Sequence, residues 1–330
     1  MFRDERGSRG GDVAAEAPSR LRVGLALGGG AARGFAHIGV IRALTEAGFE
    51  IDAIAGTSIG AVIGACHAAG KLDEVEEWAL SLTRRRVLGL LDFSVQGRGL
   101  IAGGRLARLL NRDLGRLAIE DLSIPFAAVA TEIGTGHEVW LTRGPVVAAL
   151  RASYALPGIF EPHLVGGRWL MDGALVNPVP VSTARAMGSR AVIAVNLSGE
   201  MTGRGGVVHA HGAHHGEHPA HRGATPVVRG ALGAATSLVK RQFGFSTRED
   251  EQRRARAPGI SAVIIDAFNV TQDRISRSRL AGDPPDHMIS PRVGRIGLFE
   301  FHRAAEIIAS GAEATRRALD QIRETTEALA

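Results

Sequence analysis

Two consecutive strand-turn-helix patterns near the N-terminus constrain the fold of this chain more than any other feature. Leu21 to Leu27 is a short apolar run that ends in three glycines, which predicts a buried strand running into a tight turn. A helical repeat follows from Phe35 to Ala47. The pattern then recurs, with an apolar run at Ile51 to Ala55 and a helix rich in small residues from Ser58 to Ala69. This alternation predicts an α/β fold in which helices cover a parallel sheet.

The later chain predicts more elements of the same type. Predicted helices lie at Asp73 to Leu82, Gly103 to Leu114, Arg229 to Phe243 and from Glu300 onward. Predicted strands lie at Phe126 to Thr131, His137 to Leu141, Trp169 to Met171, Ala191 to Leu197 and Ala262 to Ala267. We therefore expect a parallel-rich central sheet with helices on both faces.

Composition divides the chain into four stretches. Residues 1–20 contain no apolar run, which predicts a disordered lead-in and not a signal peptide. Residues 21–198 are the predicted core, and residues 226–330 are expected to complete the same domain. Residues 199–225 are rich in Gly, His and Ala without apolar periodicity, which predicts a flexible insert. Six histidines within it leave metal binding open, but a solvated linker is favoured.

Charge and cysteine content narrow the class of protein. The net charge of +5 comes mainly from scattered arginines, aromatic residues make up 5% of the chain, and no nucleic-acid-binding motif is present. Nucleic acid is therefore not an expected partner. The single cysteine, Cys66, cannot form an intramolecular disulfide, and no run reaches the roughly 18 apolar residues of a membrane span. We expect a cytoplasmic protein.

Gly56-Thr57-Ser58-Ile59-Gly60 matches the G-x-S-x-G pattern of a nucleophile elbow. A predicted buried strand precedes the motif and a predicted helix follows it, as this kind of turn requires. The sharp turn exposes the serine hydroxyl, the flanking Gly56 and Gly60 relieve crowding, and the helix N-terminus favours developing negative charge. The motif therefore predicts Ser58 as a nucleophile.

Gly28, Gly29 and Gly30 end the first predicted strand, where successive backbone amides can point at one oxygen atom. Such amides form an oxyanion hole in acyl-transfer enzymes. A dinucleotide-binding loop is the competing interpretation, but G-x-G-x-x-G needs glycine where this chain has Arg33, and Gly34 comes one residue late. A nucleotide-binding α/β protein remains the alternative.

Asp172 and Gly173 directly follow the predicted strand Trp169 to Met171. An aspartate in this position can face an active-site cleft, although a turn aspartate is the commoner case. His37 and His163 are the histidines that could complete a Ser-His-Asp triad. For His37, a buried and hydrogen-bonded structural role is the favoured interpretation.

Three motifs, taken in their order along the chain, resemble the patatin-like phospholipase family. They are the glycine-rich loop with Arg33, the GTSIG elbow, and Asp172-Gly173-Ala174. The similarity extends over most of Leu21 to Leu197 and includes RASYALPGIFEP at 151–162 and NPVP at 177–180. It is strongest for compact bacterial members related to the neuropathy-target-esterase catalytic domain.

The resemblance implies a three-layer patatin-like fold with its catalytic core at residues 21–198. It implies a serine acyl hydrolase that cleaves fatty-acyl esters of phospholipids or lysophospholipids, with Ser58 as nucleophile and Asp172 as general base. The implied oxyanion hole is Gly28, Gly29 and Gly30, and the implied supporting residues are Arg33, Gly34, Gly56, Gly60 and Gly173. No metal or other cofactor is needed for such a dyad. A catalytically idle patatin-like regulator is a second alternative.

A basic segment at Arg229 to Phe245 bears on how a soluble protein meets its lipid. On a helix it places Leu232, Val239 and Phe243 on one face. Such a helix can lie on an anionic bilayer, although packing onto the core is the favoured interpretation. We therefore expect a lipid ester as substrate, and peripheral contact with the inner membrane surface stays open, as does the oligomeric state.

Overall fold

A computed structural model of the chain describes residues 21–90, 103–198 and 260–330. The predicted lead-in, the Gly/His-rich insert at 199–225 and the predicted basic helix from Arg229 lie outside these residues. Interpretations of those segments therefore stay predictions.

Eight strands in the described ranges form one sheet. They are β1 (Val23–Leu27), β2 (Ala53–Thr57), β3 (Phe126–Glu132), β4 (Glu138–Leu141), β5 (His163–Val165), β6 (Arg168–Asp172), β7 (Ala191–Val195) and β8 (His287–Ile289). The order is β5-β6-β3-β2-β1-β7-β8, with β4 paired to β3. Parallel pairing joins β3, β2, β1, β7 and β8, in that order. The strands β4 and β6 pair antiparallel with β3, and β5 pairs antiparallel with β6. The predicted parallel-rich α/β sheet is confirmed.

Helices cover both faces of this sheet. The α-helices of the described ranges are α1 (Ala36–Glu46), α2 (Ile59–Ala68), α3 (Leu72–Leu80), α4 (Arg84–Leu90), α5 (Gly104–Leu114), α6 (Val146–Ser153), α7 (Val181–Ala186), α8 (Ile260–Gly282) and α9 (Ala304–Leu329). Because strand side chains alternate between faces, Leu25 and Ile54 join the large core beneath α1 and α2. Ala26 and Ala55 face the smaller core beneath α7. Two cores around one sheet give three layers.

The strand predicted at Ala262 to Ala267 is wrong, because these residues lie within helix α8. Val263 and Ile264 are 48% and 42% exposed, whereas the buried side chains of this helix include the polar Gln272 and Ser276. A helix whose most buried positions are polar has an interrupted apolar repeat. A short β-branched run was then indistinguishable from a strand.

The register of β3 positions the ends of two other strands. Ala130 of β3 pairs with β4 on one side and with Asp172 of β6 on the other. Ala128 pairs with β4 and, on its opposite side, with Gly56 of β2. The strands β2 and β6 therefore lie along the same edge of β3. Since β2 is parallel and β6 antiparallel to β3, their C-terminal ends meet.

Candidate active site

Ser58 occupies a sharp turn between β2 and α2. Its backbone has φ 56° and ψ −123°, a left-handed conformation that costs a non-glycine residue on the order of 1–3 kcal/mol. The turn needs both flanking glycines, because an added Cβ would lie 2.4 Å from Ala61 Cα at Gly56 and 2.2 Å from Leu27 O at Gly60. The predicted elbow geometry is therefore present at the end of a central strand.

Ser58 and Asp172 are directly hydrogen-bonded. The serine Oγ donates to Oδ2 of the aspartate over 2.7 Å. The other carboxylate oxygen, Oδ1, accepts the backbone N–H of Ala174 at 2.8 Å. Gly173 lets this turn press against β3, because an added Cβ would lie 2.3 Å from Val129 O. The carboxylate is thereby held in one orientation toward the serine hydroxyl.

Burial controls the protonation of Asp172, which is only 2% exposed. Burial raises the pKa of this carboxyl from 3.8 to about 6, although the hydrogen bonds from Ala174 and Ser58 oppose the rise. The group is therefore ionised near neutral pH and is more basic than an ordinary aspartate. This combination suits a general base.

Ser153, at the end of α6, holds the elbow from behind. Its Oγ accepts the backbone N–H of Ser58 at 2.9 Å and donates to Val129 O at 2.6 Å. Ser153 is fully buried. Ser153 belongs to the RASYALPGIFEP segment, and the sequence alone predicted no role for it. Its place in this segment, over which the resemblance to the patatin-like family extends, is the signal in the sequence that could have indicated a role.

The glycine-rich loop departs from the predicted oxyanion hole at two of its three positions. The N–H of Gly28 donates to Val195 O at 3.1 Å, and the N–H of Gly29 donates to Pro178 O at 3.0 Å. Both amides are therefore occupied by neighbouring backbone. In the described part of the chain, the amides of Gly30, Ala31 and Ile59 have no acceptor, and these three residues line the same pocket as Ser58.

Arg33 and Gly34 attach this loop to its surroundings. The guanidinium Nε of Arg33, 9% exposed, donates to Ile296 O at 2.7 Å. An added Cβ at Gly34 would lie 2.1 Å from Ile59 Cγ2, so the loop packs directly on the first turn of α2. Arg33 thus joins the loop to the C-terminal part of the chain.

The two candidate histidines are not the partners of Ser58. His37 is fully buried, and its Nε2–H donates to Gly28 O at 2.7 Å. Burial lowers the pKa of His37 to about 4, so the ring is neutral at pH 7. His163 lies on β5, where burial, with a smaller effect of Arg151, lowers its pKa. The structural role predicted for His37 is confirmed.

An apolar pocket begins at Ser58 and Asp172 and follows α2 away from them. It contains about 1510 Å³ of empty space, including its open part. Its walls between α2, α3 and α5 include Val62, Ile63, Cys66, Val75, Trp78 and Leu110. Burial raises the pKa of Cys66 to about 12, so its thiol is uncharged at neutral pH and forms part of the apolar pocket wall. Lys71, Glu74, Arg112 and Asp113 line the end near the C-terminus of α2.

In the described ranges, no group of three or more His, Cys, Asp or Glu side chains could hold a metal ion. No helix there is long and apolar enough to cross a bilayer.

The sequence of this chain is similar to that of several known proteins. Residues 25–185 match the family model for patatin-like phospholipase. An uncharacterised NTE family protein of Mycobacterium bovis is 37% identical over 334 residues, covering 92% of each chain. Patatin-like phospholipase domain-containing protein 6 of Mus musculus is 37% identical over 186 residues, 54% of this chain and 14% of that protein. VipD from Legionella pneumophila has a TM-score of 0.46 at 15% identity, covering 92% of this chain and 67% of the other.

Proposed function

Because the chain belongs to the patatin-like phospholipase family, a family of lipid hydrolases, we propose that it cleaves fatty-acyl esters of phospholipids or lysophospholipids by a Ser58–Asp172 dyad. The observation that carries this proposal is the 2.7 Å hydrogen bond from Ser58 Oγ to Asp172 Oδ2 at the wall of an apolar pocket. Nucleophile and base within hydrogen-bond reach are the minimal requirement for activating a serine.

The first half of the reaction forms an acyl-enzyme. Ser58 Oγ attacks the ester carbonyl carbon while Asp172 takes the hydroxyl proton. The tetrahedral intermediate then collapses, the bond to the alcohol oxygen breaks, and the protonated Asp172 gives its proton to that oxygen. The lysolipid or alcohol leaves, and the fatty acyl group stays on Ser58.

The second half repeats this chemistry with water. Asp172, again ionised, removes a proton from a water molecule that attacks the acyl carbonyl carbon. Collapse breaks the bond to Ser58 Oγ, which recovers its proton from Asp172. A free fatty acid is released and the dyad returns to its starting state.

Backbone amides stabilise the negative oxygen in both intermediates. We assign this role to Gly30, Ala31 and Ile59, since these residues line the pocket and their amides have no acceptor among the described residues. Loss of one such donor typically costs about 2.7–4 kcal/mol of transition-state stabilisation. The occupied amides of Gly28 and Gly29 also argue against the nucleotide-binding alternative, because that loop would need them for phosphate.

The acyl chain is assigned to the pocket along α2. A helix rises about 1.5 Å per residue, so Val62 and Cys66 lie about 6 Å and 12 Å from Ser58 along the helix axis. Both are buried pocket walls, at 7% and 5% exposure. An extended apolar chain fits a channel of this lining.

Ester hydrolysis by matched variants tests the proposal. The substrates are a short soluble nitrophenyl ester, lysophosphatidylcholine and phosphatidylcholine. Ser58→Ala and Asp172→Asn should each lose several orders of magnitude in kcat, because nucleophile and base act as a unit. Ser278→Ala, an exposed serine on α8, is the control and should hydrolyse normally. A folded parent protein that cleaves none of the three esters would contradict the proposal.

A further inference from the structure

Helix α8 brings residues from far along the chain into the catalytic pocket. The family model matches residues 25–185, whereas α8 spans Ile260–Gly282. Phe268 and Gln272 of this helix nevertheless line the same pocket as Ser58 and Asp172. The helix also packs against the turn at Gly173–Leu175 that follows the base. The C-terminal part of the chain therefore contributes a wall of the site.

Gln272 is the polar group that this wall presents. Gln272 is 5% exposed, and no hydrogen bond joins its carboxamide to another residue in the part of the chain that the structure describes. The adjacent buried Asp273, by contrast, pairs with Arg277 at 3.0 Å. An unpaired carboxamide at the wall of the pocket is free to donate a hydrogen bond to a group that enters it.

The Gln272 amide lies beside the nucleophile. An added Cβ at Gly29 would lie 2.9 Å from Gln272 Nε2 and 3.5 Å from Ser58 Cβ. One small space next to Gly29 is therefore bordered by the carboxamide, by Ala174 and by the nucleophile. Glycine at position 29 keeps that space open, because any side chain there would occupy it.

We propose that Gln272 contacts the substrate and donates a hydrogen bond to the ester group that Ser58 attacks. The carboxamide would add a side-chain donor to the backbone amides of Gly30, Ala31 and Ile59. Glutamine and asparagine side chains serve as such donors in other acyl-transfer sites. This inference rests on the proposed function, since it assigns a residue to the same reaction.

The test compares Gln272→Met with the parent protein on a short soluble ester. Methionine keeps a similar length and packs well in a buried position, but it has no donor. A donor that acts in the transition state predicts that kcat falls about 10²-fold while KM stays nearly constant. Ser278→Ala, on the exposed side of the same helix, should retain parental kcat and KM. Unchanged kcat in a folded Gln272→Met protein overturns the inference.

An inhibitor separates a substrate contact from a packing role. An alkyl trifluoromethyl ketone forms a tetrahedral adduct with the serine, and its inhibition constant should weaken across variants by the same factor as kcat/KM. Gln272→Asn, which retains a carboxamide on a shorter stem, supplies a second variant. Variants that slow hydrolysis without weakening the inhibitor would overturn the inference. A parent protein that hydrolyses no ester refutes the proposed function and this inference together, whereas an active parent with an unimpaired Gln272→Met variant refutes the inference alone.

Discussion

Replacing Asp172 by asparagine should raise the stability of the protein while abolishing its activity. The carboxyl is 2% exposed, and burial raises its pKa from 3.8 to about 6. Asparagine is close in size and stays neutral at every pH. Its Oδ1 can still accept the N–H of Ala174, so the turn after β6 keeps its hydrogen bond.

The expected gain in stability follows from the pKa. One pKa unit corresponds to about 1.36 kcal/mol, so ionising Asp172 costs the folded state about 3 kcal/mol more than the unfolded chain. Below pH 3.8 the carboxyl is protonated in both states and this cost is absent. It develops as the pH rises from 3.8 to about 6 and is complete above that. Asp172→Asn should therefore be more stable than the parent by up to about 3 kcal/mol at pH 8.

Urea unfolding of both proteins at pH 4, 6 and 8 measures this difference. The advantage of the variant should grow with pH across the series. Asp113→Asn is a control that should change the stability in the opposite direction. The hydrogen bond from Arg112 lowers the pKa of the Asp113 carboxyl, so loss of this carboxylate should reduce the stability at pH 8. An Asp172→Asn protein that is equally or less stable than the parent at pH 8 would refute this reasoning.

Three further predictions concern catalysis and the elbow. The acidic limb of kcat/KM should fall as the pH drops through about 6, because Asp172 must be ionised; a limb near pH 4 in a pH-rate profile would contradict this. In a series of esters of increasing acyl length, the longest acyl chain that is still hydrolysed should be shorter for Val62→Phe than for Cys66→Phe. The same maximum length in both variants would be inconsistent with an acyl chain that lies along α2. Ser153→Ala should lower the unfolding free energy by about 1–3 kcal/mol and reduce kcat, since Ser58 N–H and Val129 O lose their partner; an unchanged urea midpoint and kcat would count against it.

Local motifs predicted much of the fold and part of the site. The elbow at Ser58 could be predicted because a strand, two glycines and a helix are all encoded within a dozen residues. The resemblance to the patatin-like family, which the family model and the relatives confirm, supplied Asp172. From its own sequence neighbours alone, that residue could equally be a turn aspartate. Its place beside Ser58 depends on the register of β6 against β3.

The remaining features depend on contacts between distant parts of the chain. The carbonyls of Val195 and Pro178 accept the amides of Gly28 and Gly29 and so decide which glycine amides remain without an acceptor. No local sequence pattern predicts those two hydrogen bonds. Gln272 was missed because polar residues at the most buried positions of α8 interrupt the apolar repeat by which a helix is recognised. The three-residue strands β5 and β8 are too short for an alternating pattern.

Locating a covalent label tests the central claim most directly. The folded protein is treated with a fluorophosphonate, digested, and analysed by tandem mass spectrometry to find the residue that carries the added mass. The account predicts one labelled residue, Ser58, with no labelling of Ser58→Ala and much slower labelling of Asp172→Asn. A parent protein that takes up no label, or that carries it on another serine, would contradict the account.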